Sequence, residues 1–157
     1  MKKIAVFVDV QNIYYTVRDT FGRRFNYALF WQELSVNGHI DFAFAYAIDS
    51  GDPQQAKFQH KLREIGFDVK LKPYITRKDG SAKGDWDVGI TIDIMEHASL
   101  VDEIILASGD GDFDRLLKHV VAKNKVTTSV YGIEALTAQS LIRSADRFRP
   151  ITQDLLL

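Results

Sequence analysis

Five short runs of apolar, β-branched residues bounded by turn residues constrain this chain most: Ile4 to Val10, Ile40 to Ile48, Val69 to Pro73, Ile104 to Ala107 and Val126 to Tyr131. Runs such as IAVFV and EIILA suit strands buried on both faces, as in a parallel sheet. Helical periodicity fills the gaps. Ile13, Val17 and Phe21 form one stripe after the first run, and Phe30 and Leu34 mark a second helix. Pro53 opens a third over QQAKFQHKLREIG, with Phe58, Leu62 and Ile65 inward and Gly66 as the stop. Asp87 is placed to cap VGITIDIMEHA, in which Ile90, Ile94 and His97 share a face, and Asp112 to cap FDRLLKHVVAK. A last helix, EALTAQSLIRSA, follows the fifth strand. This alternation predicts an α/β three-layer sandwich with a mainly parallel central sheet of about five strands flanked by helices.

The 157 residues predict one domain over 1–157. With 46% hydrophobic and 26% charged residues, the composition is that of a globular chain and argues against intrinsic disorder. Cysteine is absent, which excludes disulfides, thiolate catalysis and cysteine-bound metal sites. His39, His60, His97 and His119 are far apart and show no HxxxH spacing, so a histidine zinc site is not expected. Twenty basic and twenty-one acidic side chains give a net charge of −1, so a nucleic-acid partner must be met by a local patch. The opening MKKIAVFVDV is broken at Asp9 and lacks a small-residue cleavage pattern, from which a soluble, cytoplasmic protein is expected.

In parallel α/β sheets, ligands bind beyond the carboxyl ends of the strands. Asp9 closes the first strand, and Asp110 follows the fourth in ILASGDGDF. Asp112 comes two residues later, and Asp87 opens the helix leading back to the fourth strand. All four fall on one rim. Two carboxylates about 4 Å apart repel by about 4 kcal/mol at an effective dielectric of 20, a cost a cation offsets. Hard oxygen ligands favour Mg²⁺ or Mn²⁺, and such a centre suits water activation and phosphoryl chemistry. Taken singly, Asp9 is also a strand end, and Asp87 and Asp112 are also helix caps. Gly109 and Gly111 leave the backbone between the acids free to turn tightly. The DGDFD stretch imitates a calcium loop, but Arg115 and Val121 stand where that loop needs glycine and glutamate. There is no GxGxxG, GxxxxGK[ST] or GxSxG, which disfavours a dinucleotide site, a P-loop and a serine hydrolase elbow.

Three blocks, VFVDVQNIYY, KGDWDVGITIDIM and ILASGDGDF, with a weaker terminal SLIRSADRF, resemble the NYN domain family, the LabA-like branch of the PIN-like nuclease fold. The resemblance implies a five-stranded, mostly parallel sheet and a Mg²⁺- or Mn²⁺-dependent ribonuclease centre built of acids. By position, Asp9, Asp87, Asp110 and Asp112 match that acidic centre. Asn12 matches the Asn beside the first acid, where it would orient Asp9 or a water; its other role is a helix cap. Asp93 matches the second acid of the middle block. Six residues beyond Asp87, it is turned about 120° away on a helix, as a supporting or structural residue. Ser108 would support the centre by hydrogen bonding, or simply fit the strand end. Asp85 adds a further acid beside Asp87 and competes for its role.

Residues 67–84 carry five basic and two acidic side chains. Within them Arg77, Lys78 and Lys83 are expected at phosphates, and Tyr74 and Trp86, which flank the ITRKDGSAKGD loop, at bases. A solvated loop is the alternative. Arg115, Lys118, Arg143, Arg147 and Arg149 are candidates to extend the patch. Tyr14 and Tyr15 follow the first acid, and at least one is expected in the core. The reading that joins these features is metal-dependent phosphodiester hydrolysis, of RNA above all. A non-catalytic RNA-binding or regulatory module retaining the acidic pocket is the alternative, and a small-molecule phosphohydrolase a weaker third.

Overall fold

Lys3–Asp9 forms β1, and the chain turns directly into α1 (Val10–Phe21) and then α2 (Tyr27–Val36). There follow β2 (His39–Asp49), α3 (Pro53–Ile65), β3 (Asp68–Pro73) and a small hairpin of β4 (Ile75–Thr76) with β5 (Ala82–Lys83). The second half comprises α4 (Asp87–His97), β6 (Glu103–Ala107), α5 (Asp114–Asn124), β7 (Thr127–Gly132), α6 (Gln139–Ser144) and β8 (Arg147–Pro150). The computed structural model describes residues 1–73, 75–76, 82–83 and 85–157, with 75–76 and 82–83 described as backbone.

The main sheet has six strands in the order β3-β2-β1-β6-β7-β8, every neighbouring pair parallel. This corrects the expected count of five. The sixth strand, RFRP, carries charge on both sides of a single apolar Phe148 and has neighbours on one edge only, so it lacks the hydrophobic run that marks the others. β1 shows why the run pattern works. Ile4, Val6 and Val8 face one layer with Ile13, Val17, Phe30 and Leu62 from α1, α2 and α3. Ala5 and Phe7 face the other with Ile90, Ile94, Leu117 and Leu141 from α4, α5 and α6. A strand covered on both sides has no position for a polar residue.

Helix starts differ from the expected caps. Asp87 is the first residue of α4 rather than its cap. Asp110, not Asp112, caps the single 3₁₀ turn Gly111–Phe113 that precedes α5, its Oδ1 accepting from the Asp112 amide at 2.9 Å. EALTAQSLIRSA divides into a 3₁₀ turn at Glu134–Leu136 and the short α6. Among the described residues, no helix is long and apolar enough to cross a membrane.

In this strand order the connections reverse direction between β1 and β6, which opens a crevice at their carboxyl ends. Val8 pairs with Ala107, so Asp9 and Ser108 emerge side by side.

Candidate metal centre

Asp9 comes from the end of β1, Asp110 from the loop after β6, and Asp87 from the first turn of α4, which packs against β1. One carboxylate oxygen from each lies within 4.8 Å of the other two. Ser108, fully buried, donates from Oγ to Asp9 Oδ2 at 3.0 Å and accepts from the Asp110 amide at 3.2 Å. Asn12 Oδ1 accepts from the Gly109 amide at 2.9 Å, tying the start of α1 to the β6 loop. Gly109 is required there: a Cβ would meet the Leu136 carbonyl oxygen at 2.8 Å. The loop bearing Asp110 is thus held from both sides.

Burial pushes the Asp9 carboxyl up to about 6, against hydrogen bonds from Ser108 and the Asn12 backbone, with Asp110 and Asp85 adding repulsion. Asp87 rises to about 7, first through burial, then through a hydrogen bond and repulsion with Asp110 and the charges of Asp85 and Asp9. Among the described residues, no lysine, arginine or histidine forms an ion pair with any of the three. A partly buried set of three hard oxygen donors, destabilised by its own charge, fits a divalent cation of the Mg²⁺ or Mn²⁺ kind.

The other residues singled out in the sequence divide clearly. Asp112 is exposed and lies outside the set of three; its amide, not its carboxylate, engages Asp110. Asp85 accepts from the Asp87 amide at 3.2 Å and adds negative potential without joining the three. Asp93 faces the sheet, where Tyr46 Oη and Lys70 Nζ each donate to Oδ2 at 2.7 Å. Tyr46 and Lys70 are register partners on β2 and β3, a pairing that sequence spacing does not reveal. Asp146, from the weak terminal block, accepts from the amide and hydroxyl of Thr128 and anchors β8.

Trp86 is half-buried. Its Nε1 donates to the Ala47 carbonyl at 2.9 Å, its ring packs on Tyr46, and Lys72 Nζ lies 4.6 Å from its centroid. These contacts make the half-buried ring an anchor for α4. Arg77, Lys78, the Lys83 side chain and Tyr74 lie outside the described residues. Tyr14 and Tyr15 are both exposed, which corrects the expectation that one would be core; α1 buries Val10, Ile13 and Val17 instead.

The NYN domain family model matches residues 3–152, with the three acids on its rim. The chain belongs to the NYN domain family. NYN domains have a nuclease-like, PIN-type fold and are generally nucleases. The chain is similar to the low amplitude and bright protein LabA of Synechococcus elongatus, with 29% identity over 93% of this chain and 82% of that protein. It is also similar, at 51% identity and a TM-score of 0.94, to a crystal structure of a protein of unknown function from Vibrio parahaemolyticus, covering 99% of this chain and 96% of that one.

Proposed function

We propose that this NYN domain is a Mg²⁺- or Mn²⁺-dependent ribonuclease that hydrolyses phosphodiester bonds at the Asp9, Asp87 and Asp110 rim. The observation that carries the reading is the convergence of three carboxylates within 4.8 Å with no cationic partner among the described residues. A bound divalent ion supplies Lewis acidity and charge neutralisation for displacement at phosphorus. Asp9, Asp87 and Asp110 would hold it. Ser108 Oγ fixes Asp9 Oδ2, so the first acid presents a set orientation. Asn12, through the Gly109 amide, fixes the loop on which Asp110 stands. Asp87, whose carboxyl is pushed up to about 7 by burial and by Asp110, holds near neutral pH a proton that a bound cation would displace. Asp112, exposed two residues after Asp110, would supply a further ligand from the solvent side. The basic residues Arg77, Lys78 and Lys83 would contact phosphates, and the cytoplasm is the compartment this substrate implies.

The test is cleavage of labelled single-stranded and hairpin RNA, with matched DNA, in Mg²⁺, Mn²⁺ or chelator. The expected result is metal-dependent cleavage of RNA that disappears with Asp110→Asn in a folded protein. Cleavage retained by pure Asp110→Asn protein would overturn the assignment. Cation-dependent RNA binding without cleavage by the wild type would turn the reading into a binding module.

A further inference from the structure

Val10 and Gln11, directly after Asp9, begin the wall of a groove of about 730 Å³ between α1 and α3. Tyr14, Tyr15 and Arg18 line it from α1, Lys57 and Lys61 from α3, and Arg24 from the connection to α2. The two tyrosines are 48% and 44% exposed. Their rings stand 5.3 Å apart, and the Arg18 guanidinium carbon lies 5.4 and 5.0 Å from the two centroids. Four cationic side chains line this groove against one lining carboxylate, on a chain whose net charge is −1, with Arg18 also paired at 3.3 Å to the neighbouring Asp19. That carboxylate, Asp52, is turned to the Gln54 amide as the cap of α3. Tyr14 follows Asp9 by five residues, about 8 Å along the helix axis.

We propose that this groove is the track along which a single-stranded nucleic acid reaches the carboxylates. Bases stack on Tyr14 and Tyr15, and phosphates pair with Arg18, Arg24, Lys57 and Lys61. The proposal rests on the nuclease reading and adds the substrate class. Aromatic platforms beside a cationic groove are the physical means of holding unpaired strands, because each base has a face to stack and each phosphate a charge to neutralise. A duplex keeps its bases stacked on one another and offers nothing to the two rings. The groove lies on the α1–α3 side of the sheet, away from Trp86 on the opposite layer, and its wall begins at Val10, the residue after the acid that closes β1.

The test is fluorescence anisotropy on the full chain in chelator, so that binding is read without cleavage. The probes are a labelled oligouridylate of about 12 nucleotides and an RNA duplex of similar length. The variants are Tyr14→Ala/Tyr15→Ala, Tyr14→Phe/Tyr15→Phe and Lys57→Ala/Lys61→Ala. Single strands are expected to bind more tightly than duplex. The double alanine variant at the tyrosines is expected to weaken single-strand binding by about 5- to 150-fold per ring lost, while the phenylalanine variant binds as the wild type does. Loss of the two lysines should lower the slope of log affinity against log salt by about 1.4. Unchanged single-strand binding by the tyrosine-to-alanine variant would overturn the track, and if wild-type cleavage persists the nuclease reading stands without it. Ring-dependent binding without any metal-dependent cleavage would support the track and remove the nuclease. Failure of the wild type to bind single strands would overturn the track and turn attention to a protein occupant.

Discussion

On α4, Asp93 accepts from Tyr46 Oη and Lys70 Nζ at 2.7 Å each, whereas Asp87, six residues earlier, faces Asp110, Asp9 and Asp85. Both are half-shielded acids on one helix. Among the described residues, only Asp93 has been given a counter-charge by the fold. Asp93 closes a polar network between a helix and two adjacent strands, and its ion pair is complete within the chain. Asp87 belongs to a group whose charges oppose one another, and its carboxyl is pushed up to about 7. The difference separates an acid that the architecture pairs from acids whose charge, on the proposed reading, an external cation would neutralise. Helix rotation already turned Asp93 about 120° from Asp87; it did not show that Tyr46 and Lys70 complete the pairing of Asp93.

The largest expected effect lies at the three converging acids. Asp110→Asn should reduce metal-dependent RNA cleavage by more than about 10²-fold, the scale expected when transition-state charge stabilisation is lost, with an unchanged fold by circular dichroism. Ser108→Ala removes the hydroxyl between Asp9 and the Asp110 amide. Loss of a hydrogen bond that orients a metal-binding carboxylate typically weakens metal binding by about 10- to 100-fold, which a Mn²⁺ titration would read. The paired side should respond in stability instead. Asp93→Asn leaves Lys70 without its carboxylate and is expected to cost about 1–3 kcal/mol, seen as a lower denaturation midpoint, with cleavage retained. Destabilisation by Asp87→Asn of the same size would break the comparison.

The smallest effect is the pH dependence of the metal-free protein. Asp9 and Asp87 have ordinary values near 3.8 that folding raises to about 6 and about 7. Between these limits the folded chain holds protons that the unfolded chain releases, so this contribution to stability is full below about pH 4 and is lost as pH rises towards 7. Asp87→Asn should flatten that fall in thermal melts, and saturating Mg²⁺ or Mn²⁺ should offset it. A metal-free Asp87→Asn protein with the same pH profile as the wild type would contradict the raised Asp87 value.

Most of the fold was legible because strands buried on both faces leave near-continuous apolar runs. β8 was not, since an edge strand of alternating arginines has only Phe148 to mark it. The convergence of Asp9 and Asp110 with Asp87 was legible because parallel strands deliver their carboxyl ends to the rim at which the helix leading back to β6 starts. The fourth acid, Asp112, looked equivalent in sequence, but the 3₁₀ turn directs its amide at Asp110 and leaves its side chain in solvent. The pairing of Asp93 with Lys70 depends on the register of β2 against β3, and the packing of Trp86 on Tyr46 depends on where α4 crosses the sheet. Neither leaves a local signal. The exposure of both Tyr14 and Tyr15 follows from the narrow stripe by which α1 meets the core, with Ile13 and Val17 inward and the adjoining positions facing the groove.

The most direct test of the central claim is Mn²⁺ binding near neutral pH, followed by the electron paramagnetic resonance of the free ion, for the wild type, Asp87→Asn and Asp93→Asn. The account predicts that wild type and Asp93→Asn bind alike and that Asp87→Asn binds at least about 10-fold more weakly. Equal binding by Asp87→Asn, or no binding by the wild type, would contradict it.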